Sequence, residues 1–305
     1  MNAFAMTLEQ MLFLFLCILI GFALNRGKVL PAESDVVISR LESYVFVPAM
    51  VLNSFRAYCT GENLRANAGG LVFSIVMLGI YAALACLLAP RFAANREEEG
   101  IYRYALAITN YGFMGNSIVQ GLLGDAMLFR YLIMTIPAGI FCYSAGIIWI
   151  TAGRKKFSPK MLINPMFIGM LIGMVLGLTH CPLPGFVNKT VSACAGCFSP
   201  VAMVLTGYVI GKFEIPGLFL RKNVYWLTGL RLVLLPLACL GICRLLKIDA
   251  DITALAVVFS AMPLGLNTIV FPAAYGGDET LGASMAVISN LIGMATVPLI
   301  LALAL

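Results

Sequence analysis

The chain alternates between long apolar stretches and short polar connections, and this alternation limits its fold more than any other feature. Hydrophobic residues make up 61% of the chain and charged residues 11%, against about 45–50% and about 25% in soluble domains. Each stretch is close to the roughly 20 residues that a helix needs to cross the hydrocarbon core. The sequence therefore predicts a multi-pass α-helical membrane protein. The predicted spans are residues 8–25, 37–56, 69–90, 101–123, 128–151, 161–179, 187–211, 222–246, 252–274 and 280–304.

Short sequence segments recur at a nearly constant offset along the chain. Pro48 returns as Pro200, an offset of 152. Asn116-Ser-Ile-Val119 returns as Asn267-Thr-Ile-Val270, an offset of 151. A two-fold internal repeat is typical of secondary transporters, in which the substrate site lies where the halves meet. The predicted five-helix repeats are residues 1–153 and 154–305.

Lys and Arg are distributed unevenly among the connections. Thirteen lie in odd-numbered connections and six in even-numbered ones, so the positive-inside rule places the odd connections in the cytoplasm and both termini outside. Because each half has five spans, the second half enters the membrane upside down relative to the first, which predicts an inverted repeat. The net charge of +6 follows from this topology, so no nucleic-acid partner is expected.

Spans 4 and 9, which are equivalent in the repeat, contain helix-breaking residues near their middles. Residues 109–117 include two Gly and two Asn, and residues 260–272 include Pro263 and Gly265, which disfavour a continuous helix. Non-helical backbone near the middle of the membrane is tolerated where protein or a water-filled cavity bonds its polar groups. A helix N-terminus at such a break is a suitable binding site for a carboxylate. The paired breaks favour a substrate site over simple kinks. The candidate binding residues are Asn110, Gly112, Gly115, Asn116, Ser117, Pro263, Gly265, Asn267 and Thr268.

Arg231 is the one Lys or Arg near the middle of a predicted span, because every other one lies in a connection or within three residues of a span end. A charge within the membrane is costly and marks a functional site by default, so Arg231 joins the candidate substrate-binding residues. Its partner could be an anionic substrate, a carboxylate from another helix end or the carbonyls of a broken span. The alternative is that its side chain extends to the cytoplasmic headgroups.

Acidic side chains are absent from the middles of the predicted spans. A sodium site built from side chains usually includes a carboxylate, so sodium coupling is not expected. Proton coupling would need a titrating group, and the ones available near span ends are Glu42, Asp125, Glu214 and Asp278. The nine cysteines and the single histidine lack the spacing of a metal site, so neither a metal nor another cofactor is expected.

Several of these residues resemble motifs of the auxin efflux carrier family, which includes bacterial relatives of the plant auxin carriers. The likeness covers the whole chain, although Asn116-Ser117 replaces the Ile-Pro that commonly follows the glycine of span 4. The matching segments are Gly112-Phe-Met-Gly115, Asn164-Pro165, Arg231 with Pro236, Asn267-Thr-Ile-Val-Phe271 and Tyr275-Gly-Gly-Asp278.

The resemblance implies an all-α fold of ten helices like that of the bile-acid/sodium symporters, with broken spans 4 and 9 crossing. It implies a dimeric scaffold of spans 1, 2, 6 and 7 and an elevator-like transport bundle of spans 3–5 and 8–10. Asn110 matches the asparagine that starts the span 4 crossover, and Pro263 and Asn267 match the span 9 crossover. The short central loop resembles bacterial members, which implies a bacterial inner (plasma) membrane.

The leading hypothesis is a secondary active or facilitative transporter of small organic anions, such as malate, malonate or auxin-like acids. A ligand sensor of the same fold that does not transport is the second hypothesis, and an anion channel is the third. An intramembrane enzyme is not expected, because the sequence offers no nucleophile–base pair and no clustered metal ligands.

Overall fold

The computed structural model describes residues 3–154, 164–275 and 277–305, and within them the regular secondary structure is all helical. Six helical stretches in these ranges are long and apolar enough to cross a membrane, so the predicted all-helical membrane class is confirmed. The helices are α1 (Ala3–Arg26), α2 (Ser34–Leu41), α3 (Val47–Tyr58), α4 (Gly61–Leu88), α5 (Arg96–Ala107), α6 (Asn116–Phe141), α7 (Ile147–Ile150), α8 (Pro165–Leu178), α9 (Gly185–Ile210), α10 (Ile215–Leu218), α11 (Lys222–Gly229), α12 (Leu235–Leu245), α13 (Ala250–Ala261), α14 (Asn267–Tyr275) and α15 (Glu279–Ala304).

Short π-helical turns connect several of these helices. The turn Glu42–Phe46 joins α2 to α3, and Tyr111–Gly115 leads into α6. The turn Cys142–Gly146 joins α6 to α7, and Leu230–Leu234 joins α11 to α12. Each such turn inserts an extra residue into the helix, and π-turns are frequent at functional sites.

Capping side chains determine where many helices begin. Asn164 accepts a hydrogen bond from the N–H of Phe167, and Pro165 occupies the first turn of α8, where a missing N–H costs nothing. Thr60 caps α4 in the same way, which is why that helix starts about two turns before the predicted span 69–90. Of the basic connection predicted between the halves, residues from 155 onward lie outside the described ranges, as does Gly276 of the span 9 motif.

Two helices are interrupted where the sequence places Gly, Asn and Pro. After α5, Ile108 is extended and the chain becomes helical again at Tyr111. After α13, Met262 is extended and α14 begins five residues later, at Asn267. The N–H of Asn110 donates to the carbonyl of Pro263 at 2.8 Å. The two interruptions therefore lie directly against each other.

The backbones of α1 and α9 are in direct contact, because each helix presents a glycine to the other. A Cβ on Gly21 would collide with the carbonyl of Val204, and a Cβ on Gly207 would collide with the carbonyl of Ile18. Small residues that let backbones approach are characteristic of helix pairs in membranes. The contact between α1 and α9 therefore depends on these two glycines.

One face of α8 packs on α3 in the same way, with glycines against backbone. Three glycines spaced four residues apart, at positions 169, 173 and 177, lie against backbone of Pro48, Leu52 and Cys59. The helix therefore approaches α3 along its whole length, with carbonyl oxygens where side chains would otherwise lie.

Polar contacts between the connections sort into two sets. One set joins Arg26 to Phe213, Lys212 to Asp35, Arg154 to Glu97, and Arg221 to Glu98 and Asp278. The other set joins Arg130 to Asn67 and Asp251, and Arg244 to Leu303. The two sets share no residue, as expected if they lie at opposite ends of the helical array.

Candidate substrate-binding cavity

A cavity of about 160 Å³ lies beside the two interruptions, bounded on its other side by α3, α8 and α9. A space of this size takes a small molecule and not a macromolecule. Its wall combines aromatic and aliphatic side chains, such as Met50, Phe55, Phe113 and Phe198, with uncharged polar ones. The polar side chains in the wall are Ser43, Tyr104, Thr109, Asn110, Tyr111, Asn116, Thr135, Cys142, Tyr143, Asn164 and Asn267.

No Lys, Arg, Asp, Glu or His among the described residues lines this cavity. Any preference for charge must therefore come from backbone and amide dipoles. The residues 111–113 and 265–267 belong to the wall, and both segments lie where a helix begins. Helix starts carry unpaired N–H groups and about half a positive charge each. The cavity is thus suited to an anion without containing a cation.

Asn110 is the polar residue of the first interruption with an unused donor. Its side chain is 4% exposed, and its Nδ2 has no hydrogen-bond partner within the described ranges. Gly265 gives this amide room, because a Cβ there would lie 3.0 Å from the Asn110 side chain. Burying an amide donor without a partner is costly, so a ligand that accepts from Asn110 would recover that cost.

The amide of Asn116, one turn into the same helical segment, has an unpartnered Oδ1 among the described residues. Asn164, the cap of α8, has an unpartnered Nδ2 in the same part of the chain. The two side chains also line the cavity. The cavity therefore offers both donor and acceptor groups on opposite walls.

Asn267 starts α14 and is anchored by a thiol. Its Nδ2 donates to Cys142 Sγ at 3.4 Å, and the hydroxyl of Tyr104 lies 3.0 Å from the same sulfur. Sequence reasoning missed Cys142 and Tyr104. Cys142 looks like the other eight cysteines in the sequence, and its partners lie 38 and 125 residues away.

The second interruption is held by side chains of neighbouring helices. Ser289 Oγ accepts from the N–H of Leu264 at 3.0 Å, and Asn290 Nδ2 donates to the carbonyl of Leu264 at 3.2 Å. Thr109 Oγ1 donates to the carbonyl of Phe259 at 3.0 Å. Sequence reasoning also missed Ser289 and Asn290, because their partner Leu264 lies 25 and 26 residues away along the chain.

Arg231 is fully buried and lies outside the cavity wall. Its Nη1 donates to the carbonyl of Ser260 at 3.2 Å, in the last turn of α13, and its guanidinium carbon is 5.3 Å from the centre of the Tyr81 ring. Of the alternatives that the sequence left open, the structure therefore places Arg231 on a carbonyl of the broken span. A cation at a helix C-terminus is electrostatically favourable, and the burial leaves no path to the headgroups.

The predicted site residues separate into two groups. Those that line the cavity are Asn110, Gly112, Asn116, Gly265 and Asn267, and those that do not are Gly115, Ser117, Arg231, Pro263 and Thr268. The hydroxyls of Ser117 and Thr268 donate to carbonyls in their own turns, those of Phe113 and Gly265, at 2.7 and 2.8 Å. Their hydrogen-bonding capacity is used within the breaks.

No group of three or more His, Cys, Asp or Glu side chains in the described ranges is arranged to hold a metal ion. All nine cysteines are free thiols.

The sequence is similar to known membrane transport proteins in two comparisons. The family model described as membrane transport protein matches residues 6–161 and 152–301. A relative from Methanothermobacter thermautotrophicus, described as an uncharacterized transporter, is 24% identical over 302 residues, which cover 95% of this chain and 96% of the relative.

Proposed function

Because the chain belongs to the membrane transport protein family, we propose that it is a secondary carrier of small organic anions. The family and the description of the relative indicate a transporter rather than an enzyme. One observation carries the proposal for an anion: two helix starts and the unpartnered amide of Asn110 meet at an uncharged cavity.

A carboxylate fits this arrangement because its charge would be shared between the two helix starts. The N–H groups near Tyr111 and Asn267 would donate to its oxygens, and Asn110 Nδ2 would add a third donor. The aromatic and aliphatic wall, including Phe113 and Phe198, would cover the rest of the molecule. Malate, malonate and auxin-like acids are the proposed class.

We place ten spans in the membrane, with both termini outside a bacterial inner membrane. The two sets of contacts between connections support this count. The first set involves only odd-numbered connections, and the second only even-numbered connections and the C-terminal end. Such a division is expected if the chain crosses the membrane between each connection and the next.

An inverted repeat, with halves 1–153 and 154–305, is supported by the glycine contacts. Span 1 packs on span 7 through α1 and α9, and span 6 packs on span 2 through α8 and α3. In the repeat, span 1 corresponds to span 6 and span 7 corresponds to span 2. The contact between spans 1 and 7 and the contact between spans 6 and 2 are therefore equivalent.

Transport by an elevator-like movement would use these four spans as the fixed scaffold and as the contact between two copies in a homodimer. The remaining spans, 3–5 and 8–10, would form the bundle that carries the two breaks. The position of the cavity supports this division, because α3, α8 and α9 form one wall and the breaks form the other.

Counterflow in proteoliposomes tests the proposal. Vesicles are preloaded with unlabelled malonate, malate or indole-acetate, and entry of the labelled compound is followed. Transient accumulation by the wild-type protein that is lost in Asn267→Ala identifies a carrier and its substrate. The matched control is Asn223→Ala, an exposed asparagine whose amide bonds to Phe92 at the protein surface.

Two outcomes would count against the proposal. Full counterflow by Asn267→Ala would remove Asn267 from the site. Binding of a carboxylate by folded protein without any counterflow would favour the sensor of the same fold.

A further inference from the structure

Glu42 is the first residue of the π-turn between α2 and α3, and it is 1% exposed. Neither of its carboxylate oxygens has a hydrogen-bond partner among the described residues. A charged carboxylate without partners is costly inside a protein and more so within a membrane. This residue therefore needs either a proton or a second conformation in which water reaches it.

The other three acidic candidates for proton coupling have ordinary surroundings. Asp125 is exposed and accepts a hydrogen bond from Gln120 at 2.9 Å. Glu214 is exposed. Asp278 caps α15 and pairs with Arg221 at 2.7 Å. Of the four, Glu42 alone combines burial with unpaired oxygens in the part of the chain that the structure describes.

The helices packed against this turn are α2, α3, α8 and α9. None of their ionisable groups forms an ion pair or hydrogen bond with Glu42 within the described ranges. Arg56 on α3 donates to Asn53, and Asp35 on α2 pairs with Lys212, so these charges are engaged elsewhere. The ionisable groups on these helices are Asp35, Arg40, Arg56, Tyr58, Lys189, Cys194, Cys197 and Tyr208, and α8 has none.

The turn that holds Glu42 is part of the cavity wall. Ser43 and Val47 line the cavity, and the N–H of Val47 bonds to the carbonyl of Glu42 through the π-turn. Glu42 itself does not line the cavity, but the next residue, Ser43, does, so a bound anion and the Glu42 carboxyl would share one wall of the same apolar region. Because like charges repel across an apolar region, a bound anion would favour the protonated acid, and by reciprocity the protonated acid would favour the anion.

We propose that Glu42 is the proton-binding group of this carrier and that one proton and one organic anion cross the membrane together. The proposal rests on the carrier function proposed above. The proton adds to a carboxylate oxygen of Glu42 when the anion binds, and it leaves to water when the anion has left on the other side. Movement of the bundle past α3 would expose the turn to each side in succession.

The experiment compares wild type, Glu42→Gln and Asp125→Asn in proteoliposomes, with labelled malonate, malate and indole-acetate each in turn. Protein-free vesicles provide the background for acids that cross lipid unaided. An acidic exterior should drive uptake above equilibrium in wild type and in Asp125→Asn. Glu42→Gln, which imitates the protonated acid, should keep counterflow and lose this pH-driven accumulation.

The outcomes separate the two proposals. Absence of counterflow in wild type removes the carrier and the proton site together. Counterflow in wild type without a response to the pH gradient, or pH-driven accumulation by Glu42→Gln, overturns the role of Glu42 and leaves the carrier intact.

A second measurement covers a Glu42→Gln protein that fails to transport. Wild-type protein in weakly buffered detergent solution, at a pH alkaline enough for the empty protein to have released the Glu42 proton, should take up about one proton when the carboxylate that gives counterflow binds, as reported by a pH-indicator dye. No proton uptake on binding would overturn the proposal.

Discussion

The two helix interruptions lie against each other, yet side chains from other segments bond the backbone of one, whereas the other keeps a free amide donor. At the break after α13, carbonyls and an N–H group are bonded by Thr109, Arg231, Ser289 and Asn290. At the break after α5, Asn110 keeps an unpartnered amide donor among the described residues.

The difference indicates distinct roles for two segments that are equivalent in the proposed repeat. A break whose backbone is bonded by protein can hold its shape with the cavity empty. A break with an unused buried donor is stabilised by whatever accepts from it. The break after α13 therefore presents its helix start at Asn267 to the cavity in a shape that does not need a ligand, and the break after α5 is the one whose free donor a ligand would complete.

Among the variants that test this difference between the breaks, Asn110→Ala should have the largest effect. This change removes the free donor at the cavity, and a hydrogen bond to a charged group contributes about 1.5–3 kcal/mol. The apparent affinity for the proposed carboxylate substrate should fall roughly 10- to 150-fold, measured by the concentration dependence of counterflow. The thermal stability of the empty protein should not fall, and an unchanged affinity would contradict the distinct roles described above.

Ser289→Ala should act on stability instead. It leaves the N–H of Leu264 buried without its acceptor, at a cost of about 1–3 kcal/mol, which thermal unfolding in detergent measures. The matched control is Ser284→Ala in the same helix, because that buried hydroxyl bonds within its own helix, to the carbonyl of Thr280. Equal losses in the two variants would mean that the break does not depend on Ser289.

The smallest effect on binding is expected from Arg231→Met, because Arg231 is not part of the cavity wall. The apparent affinity for the carboxylate should change less than about threefold, a difference below 1 kcal/mol. The loss of the bond to Ser260 is partly offset, since the variant no longer buries a cation whose Nε and Nη2 lack partners in the described ranges. A tenfold loss of affinity would move Arg231 into the substrate site.

Local chemistry made the helices and their interruptions predictable. Apolar stretches of a fixed length predict helices in a membrane, and the glycines, asparagines and proline of spans 4 and 9 predict where helices stop. Asn110 and Asn267 could be selected because they accompany those residues. None of this requires knowledge of what lies next to the segment in space.

The partners of the breaks could not be predicted, because they come from distant parts of the chain. Ser289 and Asn290 lie in an ordinary apolar helix, and no pattern separates them from Ser284. Arg231 was identifiable as unusual, but the choice among its possible partners required the packing of α12 and its preceding turn on α13. Glu42 was one of four acidic candidates, and only its burial distinguishes it.

The glycine contacts have a consequence for how the chain is made. Helices α1 and α3 belong to the first half, and their glycine-mediated partners α9 and α8 belong to the second. During synthesis the first half is inserted well before α8 and α9 emerge, so its closest packing surfaces wait uncovered in the lipid. These glycine-mediated contacts can form only after α8 and α9 have been inserted beside α3 and α1.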